Sequence, residues 1–255
     1  GNETGLVAFW DFEEGSGTTI FDQSVFSNNG TIFGATYDTN VPTQSCQLTN
    51  SNGCDSVAVL NLTINQSDTS YTNITACDSV EWNGEWYDNS GTYYNNINNN
   101  LFSLNFNTDN NIVIYDSPEL NPSNISVAFW TKLNSHTDFN QFVNKWDGNN
   151  HQYAISQNSS GIYISFATEV IQTSIFPALN IWEHIAFNYS SISGQGELYL
   201  NGQLVHSFTS SDQLIPSSNS LHIGGNSFLN SSFNSSVDGK MDNVQLWQRV
   251  LTQNE

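Results

Sequence analysis

The 255-residue chain sets four basic residues against 24 acidic ones, a formal net charge of -20, which argues against nucleic-acid binding by phosphate neutralisation and against anionic membrane surfaces. Apolar residues make up 37% and aromatic residues 13%, which argues for a packed core of Phe, Tyr and Trp rather than a disordered chain. Charged residues are only 11%, so Asn, Ser and Thr must cover the surface, as they do in many extracellular β-proteins, and the acidity suits divalent cations that seek oxygen ligands. No apolar run approaches the ~20 residues of a membrane span. The chain begins Gly1-Asn2-Glu3 with no signal-peptide pattern, so it reads as a mature or trimmed piece of something longer. The Asn-x-Ser/Thr triplets are about as frequent as chance gives in so Asn-, Ser- and Thr-rich a chain, and make no case for glycosylation.

Helical periodicity is nearly absent; short alternating segments between Gly, Asn, Ser and Asp dominate. Along the chain, residues 43–100 differ in kind. They hold all three cysteines, Cys46, Cys54 and Cys77, and an internal echo: Cys54-Asp55-Ser56-Val57 returns as Cys77-Asp78-Ser79-Val80. The first copy leads into an alternating face of Ala58, Leu60, Leu62 and Ile64. The second leads into a short hairpin around Asn83-Gly84, and the Asn-rich tract from Asn95 to Asn100 reads as a linker. Beyond it, Ile125, Val127 and Phe129 alternate with polar or small residues, as do Ile162, Ile164 and Phe166, and Ile185 to Tyr189. Asn158 to Gly161 turns the chain between strands at Tyr153–Ser156 and Ile162–Phe166. Asn201-Gly202 suits a two-residue type I′ turn between Glu197–Leu200 and Gln203–Val205. Phe129, Trp182 and Phe187 are expected in the core. Many short strands with frequent turns predict antiparallel sheets in a sandwich or barrel.

Six segments in order carry a resemblance: Leu6-Val7-Ala8-Phe9-Trp10-Asp11-Phe12-Glu13-Glu14-Gly15-Ser16-Gly17; Phe21-Asp22-Gln23-Ser24 with Asn28-Asn29-Gly30-Thr31; Leu104-Asn105-Phe106 leading into Asn111-Ile112-Val113-Ile114 as a strand pair; Ser126-Val127-Ala128-Phe129-Trp130-Thr131; Trp182-Glu183-His184-Ile185-Ala186 paired with Leu198-Tyr199-Leu200-Asn201-Gly202; and Gly239-Lys240-Met241-Asp242-Asn243-Val244-Gln245-Leu246-Trp247. Together they resemble the LamG-like jelly-roll family of concanavalin A-like lectin/glucanase domains. The resemblance implies an all-β, antiparallel jelly-roll β-sandwich over residues 1–42 and 101–255, with residues 43–100 as a small β insert. The insert is similar to Cys-Asp-Ser-Val repeats of large secreted bacterial surface proteins. That similarity implies a pairing of cysteines, Cys54 with Cys77 across a loop worth ~3 kcal/mol, with Cys46–Cys54 as the rival.

The family resemblance also implies a structural Ca²⁺ where the first turn meets the last strand, held by Asp22, the backbone from Asn28 to Gly30, and Asp242, with Glu13 as a further ligand. The plain alternative is that Asp22 and Asp242 cap turns through their own backbone. A second, poorer candidate for the ion is Asp109-Asn110-Asn111. Sugars present hydroxyls and flat C–H faces, so a glycan site needs an aromatic platform beside amides and carboxylates. Trp146, Asp147, Asn149, Asn150 and His151 offer that mixture in one loop, and Trp82, Trp86 and Tyr87 offer aromatics in the insert; alternatively Trp146 only covers the sandwich edge. Catalytic patterns are missing: no Glu-x-Asp-x-x-Glu run for retaining hydrolysis, no nucleophile elbow and no phosphate loop. The expectation is a secreted or cell-surface, non-catalytic carbohydrate-binding module with glycan or polysaccharide as partner. The alternatives are an adhesion or spacer module binding surface proteins, and a diverged polysaccharide-acting enzyme.

Overall fold

A computed structural model describes residues 3–42, 80–82, 85–87, 100–107, 109–136, 140–146, 151–167, 169–225 and 236–252, with the backbone alone for 80–82, 85–87 and 151. The chain forms two compact units, Gly1–Pro42 with Asn100–Glu255, and Thr43–Asn99. In the smaller unit, β5 (Val80–Trp82) and β6 (Glu85–Tyr87) pair antiparallel with Trp82 opposite Glu85, the register of a two-residue hairpin.

The larger unit is a β-sandwich of two antiparallel sheets. Its early strands are β1 (Leu6–Trp10), β2 (Thr19–Ile20), β3 (Gly30–Phe33), β4 (Thr36–Asp38), β7 (Ser103–Phe106) and β8 (Asn111–Ile114). The later ones are β9 (Asn124–Leu133), β10 (Asn140–Trp146), β11 (His151–Asn158), β12 (Gly161–Ala167), β13 (Glu169–Gln172), β14 (Glu183–Ser190), β15 (Gln195–Leu200), β16 (Gln203–Thr209), β17 (Leu221–Ile223) and β18 (Gly239–Trp247). The first sheet runs β16-β15-β14-β9-β18-β7-β4, with β1 also on β18; the second runs β13-β12-β11-β10-β17-β8-β3-β2. Strand β18 changes neighbour partway: Gly239–Met241 pair with β7, and Val244–Trp247 pair with β1. A register shift between Asp242 and Gln245, with Asn243 at φ 48°, marks the change. The segments β7 and β8 form strands as expected but do not pair with each other. The chain crosses from one sheet to the other between them, a jelly-roll crossover that a short polar loop conceals.

The alternating residues fill the space between the sheets. Ile125, Val127, Phe129, Ile162, Ile164, Phe166, Ile185, Phe187 and Tyr189 are all buried. Ring pairs bind one sheet to the other: Phe129 on β9 meets Phe142 on β10 at 5.1 Å, and Phe166 on β12 meets Tyr189 on β14 at 4.4 Å. Such pairs contribute about 0.5–1.5 kcal/mol beyond their burial. Trp182 departs from the core expectation. It precedes β14 and is half-buried, and its indole N–H donates to Asn40 Oδ1 at 2.9 Å. Asn201 and Gly202 take φ of 50° and 76°, as a type I′ turn requires, and β15 and β16 fold back on each other there.

One buried cation stitches loops to the second sheet. Lys145 on β10 is fully buried, and its Nζ donates to Asp116 Oδ1 at 2.7 Å, Asn121 Oδ1 at 3.1 Å and the Ser217 carbonyl at 2.6 Å. Burial lowers its pKa, and the Asp116 carboxylate opposes that.

Candidate functional site

Strand β10 ends at Trp146 and the chain returns as β11 from His151, the two being cross-strand partners beside a register shift. Trp146 is half-buried. Of the residues expected around it, Asp147, Asn149 and Asn150 lie outside the described residues, and His151 is described by its backbone alone. The same holds for Trp82, Trp86 and Tyr87, which the structure places as backbone in β5 and β6. Cys54 and Cys77, and with them the expected bridge and its rival, lie outside the described residues.

Beside Trp146 the second sheet carries a feature that sequence reasoning missed. Val143 pairs with Ile155 and Ile223, all three in the core, so its neighbour Asn144 turns to the opposite face. There Ser165, Ala154, Asn144 and His222 stand in one lateral row across β12, β11, β10 and β17. Gln152, two residues before Ala154 on β11, lies beside this row at the point where β11 shifts register against both β10 and β12. Three inter-strand steps make the row ~14 Å long. Asn144, Gln152 and Ser165 are each 1% exposed and His222 4%. Asn144 donates its amide to the Gly225 carbonyl at 2.7 Å, but its Oδ1 has no partner. Neither do both polar atoms of the Gln152 amide, Ser165 Oγ and His222 Nδ1. Burial depresses the His222 pKa to about 4, so its imidazole is neutral at pH 7. A buried polar atom left unmatched costs about 1–3 kcal/mol. Four neighbouring residues with such atoms form a polar patch whose unmatched groups suit hydroxyls or ordered water. The alternation of polar residues along β10, β11 and β12 signals this face, yet the same alternation describes any solvated sheet.

The five residues expected to hold calcium fall into two groups. In the first, Asp22 is saturated: Oδ1 accepts the Phe9 and Ser24 amides, both at 2.9 Å, and Oδ2 accepts the Asn28 amide at 2.8 Å and the Ser24 hydroxyl at 2.7 Å. Asn28 is committed as well, its Nδ2 to the Val7 carbonyl, its Oδ1 to Ser117 Oγ and its carbonyl to Trp10 Nε1. Gly30 lies in β3, where an added Cβ would stand 2.7 Å from Ile112 and 2.8 Å from Ile20, so close packing demands the glycine. This group closes the first loop with hydrogen bonds and leaves no carboxylate oxygen for an ion.

The second group, Glu13 and Asp242, gains Asp11 and Asn100. Asp242 sits at the β18 register shift with no exposed surface. Burial raises its pKa to about 7; hydrogen bonds from Asn100 Nδ2 and the Asn243 amide lower it, while the charges of Glu13 and Asp11 raise it again. Burial likewise raises the pKa of Asp11. Glu13 accepts the Leu101 and Phe102 amides. Asn100 donates to Asp242 Oδ2 at 2.7 Å, and its own Oδ1 is buried without a partner. Among the described residues no three His, Cys, Asp or Glu side chains are grouped so as to hold a metal ion. Asp242 therefore has beside it the unmatched Asn100 oxygen rather than a set of three carboxylates. At the other candidate, Asn110 donates to Asn107 Oδ1 at 2.6 Å and packs over Gly34.

Residues 106–255 match the Laminin_G_3 family model, described as the concanavalin A-like lectin/glucanases superfamily. No curated protein matches the chain in sequence. Among solved structures, the chain is similar to domain 4 of AbnA, a GH43 extracellular arabinanase from Geobacillus stearothermophilus solved with arabinotriose. The identity is 16% and the TM-score 0.61 over 98% of this chain and 95% of that one. It is similar to the binding domain of botulinum neurotoxin serotype D, at 12% identity and TM-score 0.55 over 98% of this chain and 50% of that one. It is also similar to Trypanosoma rangeli sialidase solved with sialic acid, at 12% identity and TM-score 0.54 over 99% of this chain and 32% of that one. The chain thus spans half of the toxin domain and about a third of the sialidase, and at these identities the likeness is one of fold.

Proposed function

Because this chain belongs to the concanavalin A-like lectin/glucanases superfamily, we propose that it is a non-catalytic, extracellular carbohydrate-binding module whose glycan site lies on the outer face of the second sheet at Trp146. The observation that carries this reading is the row Asn144, Gln152, Ser165 and His222, with its unmatched donors and acceptors beside the half-buried Trp146. A sugar supplies what each lacks: hydroxyls that donate and accept, and a C–H face for the ring. Gly225 covers the row near Asn144, so the ligand approaches from the Trp146 side. Asp147, Asn149, Asn150 and His151 are proposed from the sequence as further contacts of that site, and Trp82, Trp86 and Tyr87 as candidate sugar-binding aromatics of the smaller unit. The similar arabinanase domain solved with arabinotriose supports the reading.

A structural Ca²⁺ accompanies it at Asp242, with Asn100, Glu13 and Asp11 nearby. Asp242, Asn100, Glu13 and Asp11 would hold such an ion through their oxygens, and its charge would offset that of the buried Asp242 carboxylate. The cysteine-bearing unit is read as an inserted surface repeat, bridged through Cys54 and Cys77.

The test is a glycan array in calcium buffer, followed by Asn144→Ala and Trp146→Ala on the best-bound glycan. The reading expects at least tenfold weaker binding for each, with no turnover by the parent chain. Glycan hydrolysis would make the chain an enzyme; tight binding to a surface protein with no glycan bound would make it an adhesion module.

A further inference from the structure

The first sheet carries a depression that none of this uses. Strands β1 and β18 pair with Phe9 opposite Gln245 and Leu6 opposite Trp247. Their neighbours Trp10 and Val244 point into the core, so Phe9, Gln245 and Trp247 turn outward, half-buried. Together with Leu6, Arg249 and Glu3 they line a cleft of about 370 Å³, at the small end of ligand sites. Its far wall, Leu251, is pinned by two hydrogen bonds: its amide donates to Ser126 Oγ and its carbonyl accepts Asn188 Nδ2, both at 2.9 Å. The Arg249 carbonyl accepts the Ser126 hydroxyl at 2.8 Å, and Arg249 Nε donates to the Thr4 carbonyl at 2.8 Å. The walls are therefore held before any ligand arrives, which removes an ordering cost.

The lining also gives the ligand's chemistry. Two aromatic rings with an amide between them match the alternating C–H faces and hydroxyls of a sugar. One cation and one carboxylate, Arg249 and Glu3, stand at the same cleft, so it carries no net charge. The other three basic residues are engaged elsewhere: Lys145 with Asp116, Lys240 with Asp38, and Lys132 with Asn40. A chain of net charge -20 repels polyanions, which favours a neutral ligand. We propose that this cleft is a second carbohydrate subsite, specific for neutral sugar rings, on the sheet opposite Trp146. It rests on the reading of the chain as a glycan binder and adds to it: with sites on both sheets, one module bridges two glycan chains.

Titration calorimetry with neutral trisaccharides (arabino-, xylo-, cello- and mannotriose) and with a galacturonic acid trimer tests the proposal. The expected result is two sugars per chain for one neutral trisaccharide and at least tenfold weaker binding of the acidic trimer. Trp247→Ala then drops the stoichiometry to one and abolishes clouding of the matching polysaccharide, while the remaining site keeps its affinity within twofold. Gln245→Ala, a surface change that leaves the strand intact, weakens the second site at least fivefold and serves if Trp247→Ala does not fold. Trp146→Ala must retain one sugar per chain, bound at least fivefold more weakly when Gln245→Ala is added. One sugar per chain, lost in Trp146→Ala and untouched by Gln245→Ala, overturns this proposal and leaves the Trp146 reading standing. One sugar lost only in Gln245→Ala does the reverse. A proline-rich peptide bound in the cleft in place of sugar, or no trisaccharide bound at all, overturns it.

Discussion

Asp242→Asn isolates the buried carboxylate of β18. The folded pKa of Asp242 is about 7 against an ordinary 3.8, about three units apart. At 1.36 kcal/mol per unit the charged form costs up to about 4 kcal/mol in the folded chain. Between pH 3.8 and 7 the folded state holds a proton that the unfolded state has released. This contribution is therefore complete below 3.8, falls as pH rises, and is gone above 7. His184 and His222, both depressed to about 4 by burial, act in the opposite sense: each adds stability as pH rises from 4 to 6.5. Of these three groups, only Asp242 changes its contribution above pH 6.5. Asn at 242 removes the charge but gives up one of the hydrogen bonds from Asn100 and Asn243, about 1 kcal/mol. At pH 8 in EDTA the variant should be about 3 kcal/mol more stable than the parent, a rise of ~6–12 °C in Tm for a unit this size. At pH 4.5 it should be no more stable. Added Ca²⁺ should raise the parent at pH 8 and leave the variant unmoved. Urea unfolding followed by tryptophan fluorescence reads all three conditions. An Asn variant less stable than the parent at pH 8 in EDTA would refute the burial argument, and a parent that Ca²⁺ does not stabilise would refute the calcium assignment.

Further outcomes follow from other parts of the fold. Lys145→Met leaves Asp116, Asn121 and Ser217 without their shared donor and should cost about 3–5 kcal/mol in urea unfolding; a loss under 1 kcal/mol would show that the clamp is idle. Asp22→Asn turns an amide toward N–H donors that need an acceptor, so the Phe9, Ser24 and Asn28 amides should exchange hydrogen at least tenfold faster. Unchanged protection of those three amides would contradict the loop closure described. Gly30→Ala drives a methyl against Ile20 and Ile112 and should lower stability by about 1–3 kcal/mol, measured by thermal melting.

Strand alternation was readable wherever one face is fully dry, as in Ile125, Val127 and Phe129 or Ile162, Ile164 and Phe166, because transfer out of water acts on each residue separately. The Asn201-Gly202 turn was readable because two adjacent residues with positive φ admit few side chains. What depends on partners distant in sequence was not. The passage of the chain between sheets after Phe106 leaves no local mark, and Trp182, in an apolar run, looks like core until Asn40 meets its indole. Asp22 and Asp242 are alike as letters beside turns. Four donors surround one, and carboxylates crowd the other, through contacts up to 142 residues away. The row at Asn144, Gln152, Ser165 and His222 reads as an ordinary wet face, since only the folded sheet reveals how little of it is exposed.

Amide and side-chain NMR shifts on titrating the best neutral glycan test the central claim most directly. The account predicts saturable shifts clustered on Asn144, Trp146, Gln152, Ser165 and His222. A glycan that binds while all five residues keep their signals unchanged would contradict it.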